Sequence, residues 1–429
     1  MKRHGMAHLG SLLAAVWLFL PAFTGCQARP SGLRLAVFRA DVTPPPGEPN
    51  AGNAALQEVM DPLWAKGIIL DDGRARYVIC AMDWCVLGND ANLLVRTDIA
   101  QAAGIDPSHV AVHTVHQHAA PVVYTLEAGP SPDPKRLRFS RPALEAISGR
   151  VAAAVKDGLR ELQPFDRIGT GQAKVDRVAS ARRLLGADGQ ISTRWSASGK
   201  EPEMAAAPEG LIDPLLKTIT FSRGDRPLAR LHYYATHPQT FCCDGRASAD
   251  FVGWARETLE QRENVFQIYF TGCAGNITVG KYNDESPRAR EELGNRLLAA
   301  MSASAAASRF SPAAELTWRS VSLAMPPKPD TDGRSHLRRT QPFEPAVLEI
   351  GDISILHLPG EPAVEFQFYA QQLRPDRFVA VAELVDAASY ICTDQMFKEG
   401  GYEPKTSRFG PGSEAALKEA IRRLLGGKP

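Results

Sequence analysis

The stretch His109-Val-Ala-Val-His113-Thr-Val-His116-Gln-His118-Ala-Ala-Pro121 carries four of the chain's ten histidines. An apolar run leads into it and a proline closes it. His116 and His118 are two residues apart, so on a strand both rings share a face, and in a loop both can turn toward one point. Imidazole is the commonest protein ligand for metals and the usual general base near neutral pH. The plainer reading is a polar loop of solvated or core-satisfied histidines. The cluster alone leaves both open.

Immediately upstream, Gly67-Ile-Ile-Leu70 and Tyr77-Val-Ile-Cys-Ala-Met82 are apolar runs around the turn Asp71-Asp72-Gly73, which predicts a hairpin. Residues 91 to 103 read as a helix ending at Gly104, and Val110 to Val115 as the next strand. Strand, helix, strand in that rhythm predicts a βαβ unit, with the histidines where its second strand leaves the sheet.

Downstream, residues 141 to 162 form an amphipathic helix capped by Ser140, with Pro142 in its first turn. Residues 170 to 210 read as irregular. Residues 215–222 and 227–236 predict a strand pair that ends in Ala235-Thr-His237-Pro238. Asp250 is expected to cap a helix over 251–262, and Val265 to Phe270 to be a buried strand leaving into Thr271-Gly-Cys-Ala-Gly-Asn276. Ser286-Pro287 opens a helix to about 307, and the polar stretch 324–343 is the candidate lid. Ile353–Leu358 is a strand leaving through Pro359-Gly-Glu361-Pro362. Phe378–Leu384 is another, with Tyr390 just beyond it, and an amphipathic helix from Ser413 ends at Gly426-Gly427. His116, His237 and Glu361 thus each follow a strand, and open α/β sheets bind ligands beyond the carboxyl ends of their strands.

The chain's 429 residues hold two average domains or one large α/β domain. A net charge of +1 without basic or acidic blocks argues against nucleic acid as a partner. Lys2-Arg3-His4, the apolar Leu9–Phe23 and Thr24-Gly25-Cys26 resemble a bacterial lipoprotein signal, with Cys26 the lipidated residue. That signal predicts an exported protein of the bacterial cell envelope, held to a membrane by a lipid through residues 27–34. Beyond Cys26 there are six cysteines and no CxxC pair, which argues against a structural zinc finger and permits disulfides. The sharper expectation is a bond between site loops, from Cys242 or Cys243 to Cys273 or Cys392.

Several of these pieces, in order, resemble motifs of the neutral/alkaline non-lysosomal ceramidase family. His116-Gln-His118-Ala-Ala-Pro121 resembles its His-Thr-His-Ser-Gly-Pro, and Asp41-Val-Thr-Pro-Pro its opening Asp-Ile-Thr-Pro-Pro. Ala235-Thr-His237-Pro238, Ser248-Ala-Asp250-Phe-Val-Gly253, Gly275-Asn276-Ile-Thr278 and Leu358-Pro-Gly-Glu361 follow. Tyr390-Ile-Cys-Thr, Gly401-Tyr402-Glu403 and Phe409-Gly410-Pro411 close the series. The resemblance spans about 35 to 412. It implies one large zinc hydrolase domain over 35–429, with mixed, largely parallel sheets flanked by helices and the site at the carboxyl ends of strands.

What the resemblance implies for chemistry is cleavage of an N-acyl amide, ceramide or a related N-acyl sphingolipid, by a water that Zn2+ acidifies toward a pKa of about 7. The implied zinc ligands are His116, His237, Glu361 and Tyr390. His118 is the implied base, Tyr402 the proton donor, and Arg182 a contact to the substrate's polar group. The family's serine in the first motif is replaced by Ala119. Ala249 directly precedes Asp250, which leaves a serine nucleophile without a counterpart; Ser248 is read as a helix-start residue. Asn276 stands where the family has Asp, which weakens any second, structural cation there. Full-length relatives carry a C-terminal β-sandwich for which this chain lacks room, so an amide substrate is more firmly implied than ceramide itself. The competing readings are a zinc hydrolase of another amide or ester, such as an N-acyl sugar, and a non-catalytic lipoprotein that binds without turnover.

Overall fold

The computed structural model describes residues 32–123, 137–328 and 342–426 together with Met1, and for 384–388 the backbone alone. Cys26, most of the expected tether and most of the expected lid lie outside the described residues. The elements below belong to the unit Ser31–Pro429.

The strands that position the site are β1 (Arg34–Asp41), β2 (Trp64–Asp71), β3 (Arg76–Met82), β4 (Val110–Thr114), β5 (Gln163–Pro164), β6 (Arg167–Lys174), β7 (Leu215–Arg223), β8 (Arg226–Tyr234), β9 (Phe266–Thr271), β10 (Arg309–Pro312), β11 (Leu316–Ser320), β12 (Ala346–Ile350), β13 (Ile353–Pro362) and β14 (Phe378–Ile391). The larger helices are α1 (Asn89–Ala103), α2 (Arg141–Gly158), α3 (Asp250–Glu263), α4 (Pro287–Ala306), α5 (Val364–Leu373) and α6 (Ser413–Leu424). A nine-stranded sheet runs β11-β12-β13-β14-β4-β3-β2-β1-β5, and a five-stranded one runs β9-β8-β7-β6-β10.

Both sheets are mixed and flanked by helices. Their parallel ladders are β3 with β4, β13 with β14, and β8 with β9. The other ladders are antiparallel, which corrects the expectation of largely parallel sheets. The physical reason lies in the connections. Tight turns join β2 to β3, β7 to β8 and β12 to β13, and a tight turn can close only antiparallel neighbours. At the first, Asp72 Oδ1 accepts Arg74 N–H at 2.8 Å and Ala75 N–H at 2.7 Å while Gly73 takes φ 81°.

Alternation along β3 shows why its apolar run is continuous. Tyr77, Ile79 and Ala81 face the core shared with the smaller sheet, where Ile219, Leu231 and Ile268 pack. Val78, Cys80 and Met82 face the opposite core, under Val95 and Ile99 of α1 and Leu144, Ile147 and Val151 of α2. Each sheet thus carries helices on its outer face, α1 and α2 on the large one, α3 and α4 on the small one. At the other end of the large sheet, Leu356, Leu358 and Val379 pack on α5 and α6.

The βαβ unit around α1 forms as the sequence predicts, with Gly104 at φ 66° ending the helix. Ser140 caps α2, accepting Ala143 N–H at 3.3 Å. Two expectations change. Residues 170 to 210 are not wholly irregular, since β6 supplies a strand of the smaller sheet. Asp250 is not the cap of α3: Ala249 holds that position, and Asp250 begins the helix at φ 55°, its carboxylate taken by the loop after His237.

Candidate active site

Two parallel strand pairs and one bend deliver the implied metal ligands. His116 lies two residues past β4 and sits at φ 73°, a conformation that a non-glycine residue holds only when its surroundings fix it. Its backbone N–H donates to Trp84 O at 2.9 Å, and its Nδ1–H to Cys85 O at 2.7 Å. Cys85 comes from the segment leaving β3, the parallel neighbour of β4. His237 follows β8. Glu361 and Tyr390 are the penultimate residues of β13 and β14 and oppose one another in the ladder. β14 therefore runs through Tyr390 rather than ending before it.

Three donor atoms meet. His116 Nε2 lies 3.1 Å from His237 Nε2 and 3.3 Å from Glu361 Oε2. His237 Nε2 lies 3.4 Å from the same oxygen. All three residues are buried. A tetrahedral zinc with bonds of about 2.0–2.2 Å needs its ligand atoms about 3.3 Å apart. Glu361 Oε2 is buried without a hydrogen-bond partner among the described residues. The carbonyl of Cys85 takes the Nδ1–H of His116 and leaves Nε2 facing the other two donors, the arrangement metal-binding histidines use. The donor set, its spacing and the orphaned carboxylate oxygen fit a zinc ion.

The charges around the triangle have clear causes. Burial opposes a charged His116, but the Glu361 carboxylate and Cys85 outweigh it and raise its pKa well above the ordinary value. Burial also works against the Glu361 anion, and His116 and His237 hold its pKa well below the carboxylate range nonetheless. Burial and Arg182 push His237 down to about 3, so it stays a neutral donor. Burial, His116 and His237 together drive His118 well below its ordinary value. A neutral His118 can accept a proton, and its buried Nε2 has no partner among the described residues. Its ring centroid lies 4.8 Å from that of His116 and 5.8 Å from that of His237.

Arg182 joins the remaining pieces. Its Nη1 donates to Tyr390 OH at 3.0 Å and to Gly275 O at 3.1 Å, and its Nη2 to His237 Nε2 at 3.0 Å. A cation held at His237 would take that lone pair in place of Arg182. The guanidinium lies 5.4 Å from the centroid of Tyr390 and 5.7 Å from that of Tyr402. Tyr402 itself meets Tyr390 edge-on at 5.7 Å. The structure thus brings His116, His118, His237, Glu361, Arg182, Tyr390 and Tyr402 into one neighbourhood. His113 and His109 stay out of it. His113 is a buried strand residue bonded to Glu383 O at 2.7 Å and facing His357 at 2.8 Å, and His109 packs on Tyr77.

Sequence reading missed several supporting groups. Asp250 holds the Thr240 N–H at 2.9 Å and its hydroxyl, which ties down the loop after His237. Glu403 is buried, bonded to Arg183 at 3.0 Å and 3.7 Å from Arg182. Glu383, fully buried, accepts Ala274 N–H at 2.8 Å and braces the glycine loop. Their signal was a carboxylate inside an otherwise apolar or motif-bearing run, which single-sequence patterning does not separate from a surface charge.

One other expectation falls. Cys242 and Cys243 are bonded to each other, while Cys80, Cys85, Cys273 and Cys392 are free and buried, so no disulfide ties the site loops. Asn276 spends its amide on protein partners, accepting Val364 N–H at 2.9 Å and donating to Glu365 at 3.0 Å. Among the described residues no group of three His, Cys, Asp or Glu donors forms there. Ser248 is a helix-start residue as expected, accepting Asp250 N–H at 3.0 Å and Arg290 at 2.8 Å.

With this geometry in view, the architecture can be placed: it is a neutral ceramidase-like fold. It superposes on the crystal structure of neutral ceramidase from Pseudomonas aeruginosa with a TM-score of 0.72, at 16% identity, covering 92% of this chain and 74% of that one. A structure described as ceramidase complexed with C2 matches with a TM-score of 0.69 at 14% identity, again over 92% and 74%. No family model and no curated protein matches the sequence.

Proposed function

We propose that the protein is a zinc-dependent amidohydrolase that cleaves an N-acyl amide, with an N-acyl sphingolipid such as ceramide as the substrate class. The observation that carries this reading is the triangle of His116, His237 and Glu361 donors, with separations of 3.1, 3.3 and 3.4 Å. Tyr390, opposite Glu361 in the ladder, completes the ligand set. The ceramidase-like fold supports the amide chemistry.

Zinc held there would supply Lewis acidity and an acidified water. The chain's own groups do the rest. His118, neutral and without a competing partner, takes the proton of the attacking water. As the new C–O bond forms, the negative charge gathering on the carbonyl oxygen is met by Arg182 and the Tyr402 hydroxyl. His118 then returns the proton to the leaving nitrogen as the C–N bond breaks, giving a carboxylic acid and an amine; the acid passes its proton to the amine and leaves as the carboxylate. Burial keeps the surrounding field strong.

The same reading includes the address: an exported protein of the bacterial envelope, lipid-anchored through Cys26. Its support is the basic start, the apolar Leu9–Phe23 and the cysteine at position 26. Among the described residues no helix is long and apolar enough to cross a membrane. The test of function is product analysis on ceramides and N-acetyl sugars side by side. Release of fatty acid and sphingoid base by wild type, abolished in His116→Ala, is expected. Turnover of the sugars with ceramides untouched would overturn the substrate class.

A further inference from the structure

The aromatic groups of the site form a path that leads outward. Tyr390 touches Tyr402 edge-on at 5.7 Å, and Tyr402 touches Trp195 edge-on at 4.9 Å. Tyr390 and Tyr402 are only partly buried, while Trp195 is 51% exposed. Single exposed apolar side chains are ordinary on a protein surface, but this one lies against a residue of the candidate site.

Trp195 is also held rigidly. The preceding residue, Arg194, is fully buried and donates its backbone N–H to Arg182 O at 2.8 Å. Its guanidinium is spent on the carbonyls of Ala181, Met204, Ala207 and Pro208. Trp195 N–H donates to Ser198 Oγ at 2.9 Å, and a Cβ on Gly280 would strike Trp195 O at 1.8 Å. Just before it, the hairpin of Arg183–Leu185 with Ile191–Thr193 leans on the Tyr402 segment, through Arg183 to Gly400 O at 2.8 Å and Ile191 against Gly401. That hairpin carries Leu185, 63% exposed. A fixed backbone, one register step from Arg182, thus presents an unsatisfied apolar surface beside Tyr402.

We propose that Trp195 grips the apolar chain of the substrate next to the scissile amide and so sets the preference for long acyl or sphingoid chains. The proposal rests on the amidohydrolase reading above. An N-acyl amide places its hydrocarbon within a few bonds of the reacting carbonyl. A chain leaving past Tyr402 meets the indole first, with Leu185 on the neighbouring hairpin as further apolar surface.

The experiment compares wild type, Trp195→Ala and Trp195→Phe on amides of one fluorogenic amine acylated with acetyl, octanoyl and hexadecanoyl chains, below their micellar concentrations. Trp195→Ala should lower kcat/KM for the hexadecanoyl amide at least 10-fold, mostly through KM, with the acetyl amide within 3-fold of wild type and Trp195→Phe largely restored. Hexadecanoate should quench wild-type tryptophan fluorescence, with the response lost in Trp195→Phe. Equal losses for all three chains would assign Trp195 to packing of Tyr402 and overturn the proposal. So would a loss that appears only with substrate in phosphatidylcholine vesicles, which would make the indole a membrane contact. If wild type cleaves none of the series, the amidohydrolase reading falls, and the hexadecanoate response still decides whether Trp195 binds an apolar chain.

Discussion

At the scale of single residues the proposed function divides the site's histidines into ligands and a base. His116 and His237 turn Nε2 atoms on one point, but His118 keeps its ring beside them with a buried, unpartnered nitrogen. His118→Gln is therefore expected to retain bound metal while kcat falls by about 10²–10⁴, the ordinary worth of a general base. Metal analysis beside steady-state rates checks it, and a parallel loss of metal would make His118 a ligand. The two roles were not distinguishable from the spacing of His116 and His118, because a strand and a loop both let the two rings converge. What separates them is the Cys85 carbonyl on Nδ1 of His116, a contact that comes from 31 residues earlier in the chain.

At the scale of elements, the close approach of the glycine loop to β13 decides where Glu361 sits. A Cβ on Gly275 would lie 2.3 Å from Glu361 O, and Gly275 N–H donates to Pro362 O at 3.0 Å. Gly275→Ala must push the ligand strand away, and zinc affinity, read by competition with a chelator, should weaken about 10–100-fold, the range seen when support for a ligand is lost. Unchanged affinity would show that Glu361 is not held by this loop. Most elements were legible beforehand, because β2 and β3 announce a hairpin through Asp71-Asp72-Gly73 and α1 ends at a glycine in the left-handed region. Parallel against antiparallel pairing was not, since a strand buried on both faces reads the same way in either ladder. Nor was β6 visible within residues rich in small and polar side chains. Asp250 misled for a related reason: a carboxylate at a helix start resembles a cap even where, as here, it is the first helical residue and is shared between Phe251 N–H and Thr240.

At the scale of the whole molecule, buried polar groups join elements far apart in the chain, and one of them ties stability to pH. Arg256 of α3 makes a fully buried two-pronged pair with Asp83 at 2.7 and 2.8 Å, which joins the smaller sheet's helix to the segment that leads to Cys85. His232, on β8, is buried between Thr218 at 2.9 Å and Gln267 at 2.7 Å, and burial lowers its pKa from 6.5 to about 4. Between those values the unfolded chain binds a proton that the folded chain refuses. Stability is therefore lost as pH falls from 6.5 toward 4, with a slope of about 1.4 kcal/mol per pH unit from this residue. Urea titrations from pH 6.5 to 4.5 should show a shallower decline in His232→Gln than in wild type; identical slopes would mean His232 is not held neutral. The central claim concerns the metal, and the most direct measurement is the zinc content of purified, dialysed protein beside that of His116→Ala. The account predicts one zinc per wild-type chain, with the variant folded and nearly empty. Wild-type protein that holds no zinc, and gains no thermal stability when zinc is added, would contradict it.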